Sequence, residues 1–414
     1  MASATADASE PWVLARAKER LFPERDETGT YAVVDTQFAT ERWLASEPVD
    51  PSVRESLAPF NHVRVGTGYP DLVGVRTLES DLLAVERLGE DPPLIAVEAK
   101  GTSRGGVDVQ RALVQAHDRL AEANVAFAAV PTAAVDEPDR VLARELNVGL
   151  LGVDGGGAVE TLERPRVVGN RTTDDATAIR FQASARGVTD ESFGLNHPKN
   201  YLGYPLALAA SGETNRLLDD HDVVRAFDDA RRGAAFLGLV EERADGVGLT
   251  PLGREVVRFA RARYGSVEAA LGEFEQWHGS SARFYDVAPD WGQLARRVVF
   301  AYPATELLVE ELQQLHDDGF PEPTLVELVR YLHQVHPTFT VELFVRGTEA
   351  ARRAVLDEDG ELRPDGLTDG DVYHAPTVFQ LKAMLYHAGI LTERGAEPHR
   401  LEPTADVWAL RDPV

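Results

Sequence analysis

Cysteine is absent from all 414 residues, which excludes disulfides and thiolate metal centres. Lysine is nearly absent: Lys18, Lys100, Lys199 and Lys382 are the only four, and every other basic side chain is arginine. Positive charge as a whole is scarce, with 42 Lys and Arg against 68 Asp and Glu and a formal net charge of −26. No apolar run approaches the roughly 20 residues that a membrane-spanning helix needs. Residues 1–10 have neither a basic start nor an apolar centre, so no secretory leader is expected. These absences lead to the expectation of a cytoplasmic protein with no membrane partner.

What is present is a globular composition, 43% hydrophobic, in a chain long enough for two or three domains. Evenly spread acid, little lysine and no cysteine fit a halophilic protein working in molar salt. Such a charge opposes a nucleic-acid partner at first sight, because those binders carry basic patches. At molar salt, however, the Debye length is about 3 Å and long-range repulsion is screened. Counterion release contributes little affinity under the same conditions. A DNA binder there relies on Arg forks, helix N-termini and metal bridges to phosphate. Net charge does not decide the question.

The most informative stretch runs from Gly66 to Gly101. Two short apolar runs, Leu72 to Val75 and Leu94 to Val97, have the length and the Val/Ile content of buried strands. Asp71 opens the first, and Glu98-Ala99-Lys100 closes the second. Strand side chains alternate faces, so Glu98 and Lys100 point one way and Ala99 the other. Antiparallel pairing would bring Asp71, Glu98 and Lys100 to one sheet end, a site for a divalent cation. The same residues could instead be a solvated charge cluster with Lys100 pairing Glu98. The scarcity of lysine favours the former: Lys is a compact point charge whose pKa can be tuned, whereas Arg is a fixed cation.

Pro70-Asp71 and Glu98-Ala99-Lys100 resemble the two halves of the PD-(D/E)xK, or restriction-endonuclease-like, nuclease superfamily. The resemblance covers residues 30–155. It implies an α/β mixed sheet with flanking helices. It also implies Mg²⁺ (or Mn²⁺) held by Asp71, Glu98 and the Ala99 carbonyl, and a Lys100 that orients or activates the attacking water. Members often carry a Gln on the helix after the second motif strand, for which Gln110 is the candidate, and some carry an extra acid on an early helix, for which Glu41 is. Arg104, in the glycine-rich turn 101–106, is a candidate DNA contact.

Around the motif, helices are expected over Pro11–Phe22, Gln37–Ala45, Val107–Ala123 and Glu137–Leu146, and further strands over Val125–Val130 and Val148–Val153. The second-last helix has an apolar stripe of Val109, Leu113, Ala116 and Leu120 at helical spacing, with His117 on its rim. Alternating strands and helices imply partly parallel pairing through right-handed crossovers. Asp154-Gly155-Gly156-Gly157 lacks a phosphate-loop lysine and reads as a turn. A polar linker with one strand near Ile179 to Phe181 follows.

The C-terminal half is mostly helical and contains an internal echo. Leu237-Gly238-Leu239-Val240-Glu241-Glu242-Arg243 and then Leu249-Thr250-Pro251 parallels Ala388-Gly389-Ile390-Leu391-Thr392-Glu393-Arg394 and then Leu401-Glu402-Pro403. Each copy follows an apolar helix, Asp222–Phe236 or Thr377–His387, and reads as helix, strand, turn, strand. Asp245-Gly246 is a hairpin signal, and Thr250-Pro251 caps the next helix. This pattern resembles winged-helix domains. Arg231, Arg232 and Lys382 lie on the helices that such domains place against DNA.

The expected architecture is a nuclease-like α/β domain (1–162), a linker (163–200), a first winged helix (201–265), a helical connector (266–315) and a second winged helix (316–414). The function it implies is metal-dependent DNA endonuclease activity of a repair or defence type, directed by the winged helices, with a homodimer left open. The alternatives are a non-catalytic winged-helix DNA-binding regulator and a protein-interaction adaptor, each with an inactive nuclease-like domain.

Overall fold

The computed structural model describes residues 8–23, 30–39, 50–84, 92–103, 105–168, 178–180, 197–243, 246–277, 282–357 and 359–413. The chain divides into two units, Met1–Arg186 with His333–Leu367, and Gly187–Leu332 with Thr368–Val414.

The first unit is built on a six-stranded mixed sheet whose strands lie in chain order. β1 (Tyr31–Val34), β2 (Leu72–Val75) and β3 (Leu94–Ala99) are antiparallel neighbours. β4 (Val125–Pro131) and β5 (Gly149–Val153) run parallel to β3, and β6 (Val159–Glu163) closes the edge antiparallel to β5. The helices of this unit include α1 (Glu10–Leu21), α2 (Pro51–Leu57), α3 (Val109–Arg119) and α4 (Glu137–Leu146). The helix expected over 37–45 is a short 3₁₀ turn at Thr36–Ala39 in its described part. β1 and β6 were not foreseen. Asp154 Oδ1 accepts the N–H groups of Gly156 and Ala158 at 2.8 and 2.9 Å, which makes the triple-glycine segment the β5–β6 turn.

Alternation of side chains explains why the sheet is covered on both faces. Ile95, Val97, Ala99, Val125, Phe127 and Ala129 pack with Val13, Leu14 and Ala17 of α1. Their strand neighbours Ala126, Ala128 and Val130 pack with Val109, Leu113 and Ala116 of α3. Strands buried on both faces read as continuous apolar runs, as these do.

Residues His333–Leu367, expected inside the last domain, belong with this first unit. Their anchor is Glu342, a buried carboxylate that takes both Arg352 Nη atoms at 3.2 and 3.3 Å. It also accepts Asn61 Nδ2 at 2.6 Å and the Tyr31 hydroxyl from β1.

In the second unit, the helix Phe227–Phe236 is followed by an antiparallel hairpin of β7 (Val240–Arg243) and β8 (Gly246–Leu249) and by the helix Pro251–Tyr264. Thr250 caps that helix through Oγ1, which accepts Gly253 N–H at 3.1 Å. The expected second hairpin differs. After the helix Ala375–His387, Leu391 bridges to Leu410, not to the Leu401 segment, and Val407 bridges to Thr324. The later segment is tied to that helix through Asp406, which accepts Lys382 Nζ at 2.7 Å and the Nε1 of the fully buried Trp408 at 2.8 Å. Residues 178–180 are helical, not a strand. No helix among the described residues is long and apolar enough to cross a membrane.

Candidate active site

The antiparallel register pairs Leu72 with Val97, so the next position outward sets Asp71 opposite Glu98. Both are nearly inaccessible, at 3% and 2% exposure, which is not how a solvated surface cluster sits. Asp71 Oδ2 accepts the Ala99 N–H at 2.7 Å, and Oδ1 accepts Gln37 Nε2 at 3.1 Å. Lys100 Nζ lies 3.7 Å from Asp71 Oδ2 and donates to the Ala99 carbonyl at 2.6 Å. The three motif residues therefore meet at one sheet end, as the strand pairing requires.

Three further side chains complete the cluster, and none of them was foreseen. Glu10, in the first turn of α1, reaches Lys100 Nζ at 3.4 Å. It gets there because Gly101 lets the helix start close over the strand end: a Cβ at Gly101 would lie 2.1 Å from the Glu10 nitrogen. Gln37 holds Asp71 as described. Arg119, in the last turn of α3, pairs Glu98 Oε1 through Nε at 2.8 Å. A basic residue beside a helical apolar stripe was the available signal for Arg119. Nothing local marked Glu10 or Gln37.

The electrostatics follow from burial and like charge. Burial pushes the Asp71 carboxyl well above the usual range, and Glu98 and Glu10 add to the shift while Lys100 opposes it. Burial also raises Glu98, with the Arg119 guanidinium the main opposing influence. Two carboxyls that resist ionising together are relieved by a cation, whose charge reverses the local pKa logic.

The donor set is all oxygen and suits a hard divalent ion such as Mg²⁺ or Mn²⁺. Among the described residues no group of three or more His, Asp or Glu side chains is gathered as a metal site. Mg²⁺ is usually bound through one or two carboxylates, with waters and substrate phosphate completing its shell, so Asp71 and Glu98 fit it. The Ala99 carbonyl, an expected ligand, is taken by Lys100.

The remaining expected site residues fall elsewhere. Gln110 is exposed on the first turn of α3, and no hydrogen bond joins it to the cluster among the described residues. His117 is exposed on the last turn of α3, its Nδ1 2.8 Å from the Leu146 carbonyl. Glu41 and Arg104 lie outside the described residues. Arg231 and Arg232 sit on the helix before the first hairpin, within 4.0 Å of Asp228 and 2.7 Å of Asp229 respectively. Lys382 is not a DNA contact: it is 1% exposed and pairs with Asp406 at 2.7 Å, beneath the Trp408 ring. An ammonium sealed in a core ion pair cannot meet a phosphate. No family model, curated protein or solved structure matches the chain.

Proposed function

We propose that the chain is a metal-dependent DNA endonuclease of PD-(D/E)xK type, directed to its substrate by winged-helix elements in the second unit. The observation that carries this reading is the meeting of Asp71, Glu98 and Lys100 at one end of the β2–β3 pair. Asp71 and Glu98 are the residues to hold Mg²⁺, with the Ala99 carbonyl as a third donor once Lys100 releases it. The bound cation would polarise the scissile phosphate and lower the pKa of a water. Lys100 then positions the attacking water and stabilises the charge that builds on the phosphorane, the kind of fixed electrostatics that supplies most of catalysis. Glu10 and Gln37 hold Lys100 and Asp71 in place for this role. The helix–hairpin–helix run through β7 and β8 supports the winged-helix reading, and so do the Leu391 and Thr324 bridges around the helix Ala375–His387.

The full chain in molar KCl, incubated with linear and branched DNA, should cut when Mg²⁺ is present and not in EDTA. Asp71→Ala and Lys100→Ala should each abolish cleavage while circular dichroism remains native. Cleavage by either variant at the wild-type rate refutes the assignment. The Arg119–Glu98 pair favours a second reading, because a carboxylate already neutralised by arginine has less need of a metal. In that reading the unit is a non-catalytic DNA-binding scaffold, and gel shifts would show Mg²⁺-independent binding without products.

A further inference from the structure

The loop that enters β2 carries an aromatic ring that the proposed chemistry does not use. Tyr69 is 45% exposed, yet it lies almost parallel on His62, with ring centroids 3.5 Å apart and planes 18° from one another. His62 is fixed in turn, its Nδ1 2.9 Å from Oδ2 of Asp35, which is 3% exposed. Gln37 joins this pair to the carboxylate cluster. Its backbone N–H donates to Asp35 Oδ1 at 2.9 Å, and its side-chain amide donates to Asp71 Oδ1 at 3.1 Å.

The loop itself is held rigid from below. Val65 and Gly68 pair across the turn, with Val65 N–H donating to the Gly68 carbonyl at 2.9 Å. Arg119 Nη1 donates to the Val65 carbonyl at 3.2 Å while its Nε holds Glu98. A Cβ on Gly68 would lie 2.9 Å from that Nη1, so the turn sits directly against the guanidinium. The result is a planar, exposed ring on a braced support, two residues before the first candidate cation ligand.

A base inside a duplex has both faces covered by its neighbours, so a fixed protein ring can stack only on an unpaired or terminal base. We propose that Tyr69, backed by His62 and Asp35, seats an unpaired nucleobase beside the scissile phosphate, and that the substrate is therefore single-stranded or branched DNA. The inference rests on the nuclease reading for its choice of ligand, but its test is a binding measurement made without cleavage.

The probe is a short fluorescein-labelled oligothymidylate, titrated with the full chain in EDTA and followed by anisotropy, beside a relaxed, covalently closed circular duplex, which has neither ends nor a loop, as competitor. Base–aromatic stacking is worth about 1–3 kcal/mol per base, so Tyr69→Ala should weaken oligothymidylate binding by roughly 5- to 150-fold. Tyr69→Phe should retain it, His62→Ala should lose part of it, and duplex binding should not change. Failure to bind the oligothymidylate at all, an unchanged affinity in Tyr69→Ala, or equal losses on both probes overturns the proposal. An unchanged affinity in a protein that still cuts DNA would leave the nuclease reading standing. A selective loss in a protein that cuts nothing would do the reverse.

Discussion

If Asp71 and Glu98 face each other against their own repulsion, a divalent cation must stabilise the first unit, and Asp71→Asn must remove that effect. The substitution suits the site because each Asp71 oxygen accepts one hydrogen bond, from Gln37 Nε2 and from Ala99 N–H. Asparagine keeps the acceptor for Ala99, and the Gln37 amide can turn to offer its own oxygen to the new NH₂. Charge is lost while shape is kept. At a Mg²⁺ concentration about 100 times the dissociation constant, linkage stabilises the wild type by about 2.7 kcal/mol. For a domain of about 150–250 residues that is a rise in Tm of roughly 5–11 °C. The pH dependence has a definite sign. Because the folded Asp71 pKa is raised, its contribution favours the cation-free fold at low pH and is lost as pH rises through the folded value. Cation binding displaces that proton, so the Mg²⁺ gain should grow with pH across the same window. Thermal scans in molar KCl, with EDTA or MgCl₂ at several pH values, measure all of this. Equal Mg²⁺ shifts in wild type and Asp71→Asn, or none in either, would refute the cation site.

Two other features give sharp expectations. His197 and His387 are buried in the second unit with ring centroids 4.2 Å apart, and each Nδ1 accepts a backbone N–H, from Lys199 and Phe284 respectively. Burial, and then nearby positive charge, depresses them to about 2 and about 4. A depressed imidazole contributes stability that is complete above about pH 6.5 and is lost as pH falls toward its folded value, at about 1.4 kcal/mol per pH unit for each histidine. Denaturant titrations of the wild type should therefore show a steep decline from pH 6 to 4 that His387→Gln makes shallower; an unchanged slope would contradict the pair's role. In the first unit, Arg352→Ala leaves Glu342 buried without its counter-ion and should cost about 3–5 kcal/mol. Buried pairs are poorly screened, so that loss should vary little between low and molar KCl. A loss under about 1 kcal/mol, typical of a surface pair, would show that Glu342 is not sealed.

The parts of the fold legible in the sequence were those governed by local pattern. β2 through β5 announced themselves as apolar runs, and α3 as a stripe from Val109 to Leu120, because burial on both sheet faces writes itself into consecutive residues. The meeting of Asp71 with Glu98 was legible for the same reason, since pairing two adjacent strands fixes the register of their ends. What could not be read were contacts set by chain return. Glu10 arrives from a helix start 90 residues before Lys100, and the enabling feature is the missing side chain of Gly101. Lys382 reads as a groove-facing cation because its helix precedes the expected wing, but its partner Asp406 lies 24 positions on, in a segment without periodicity. The segment around Glu342 groups with the first unit through contacts set by chain return, the Tyr31 hydroxyl and Asn61 Nδ2 on the Glu342 carboxylate, which leave no local pattern to follow.

Arg119 ties the two proposals together physically. Its guanidinium is the main influence opposing the upward shift of Glu98, as Lys100 opposes that of Asp71. The same guanidinium braces the Val65–Gly68 turn that carries Tyr69. Charge at the cation site and placement of the exposed ring therefore depend on one side chain held at two points, 2.8 Å from Glu98 and 3.2 Å from the Val65 carbonyl. A cation that drew Glu98 toward itself would pull on Arg119, and through it on the turn beneath Tyr69.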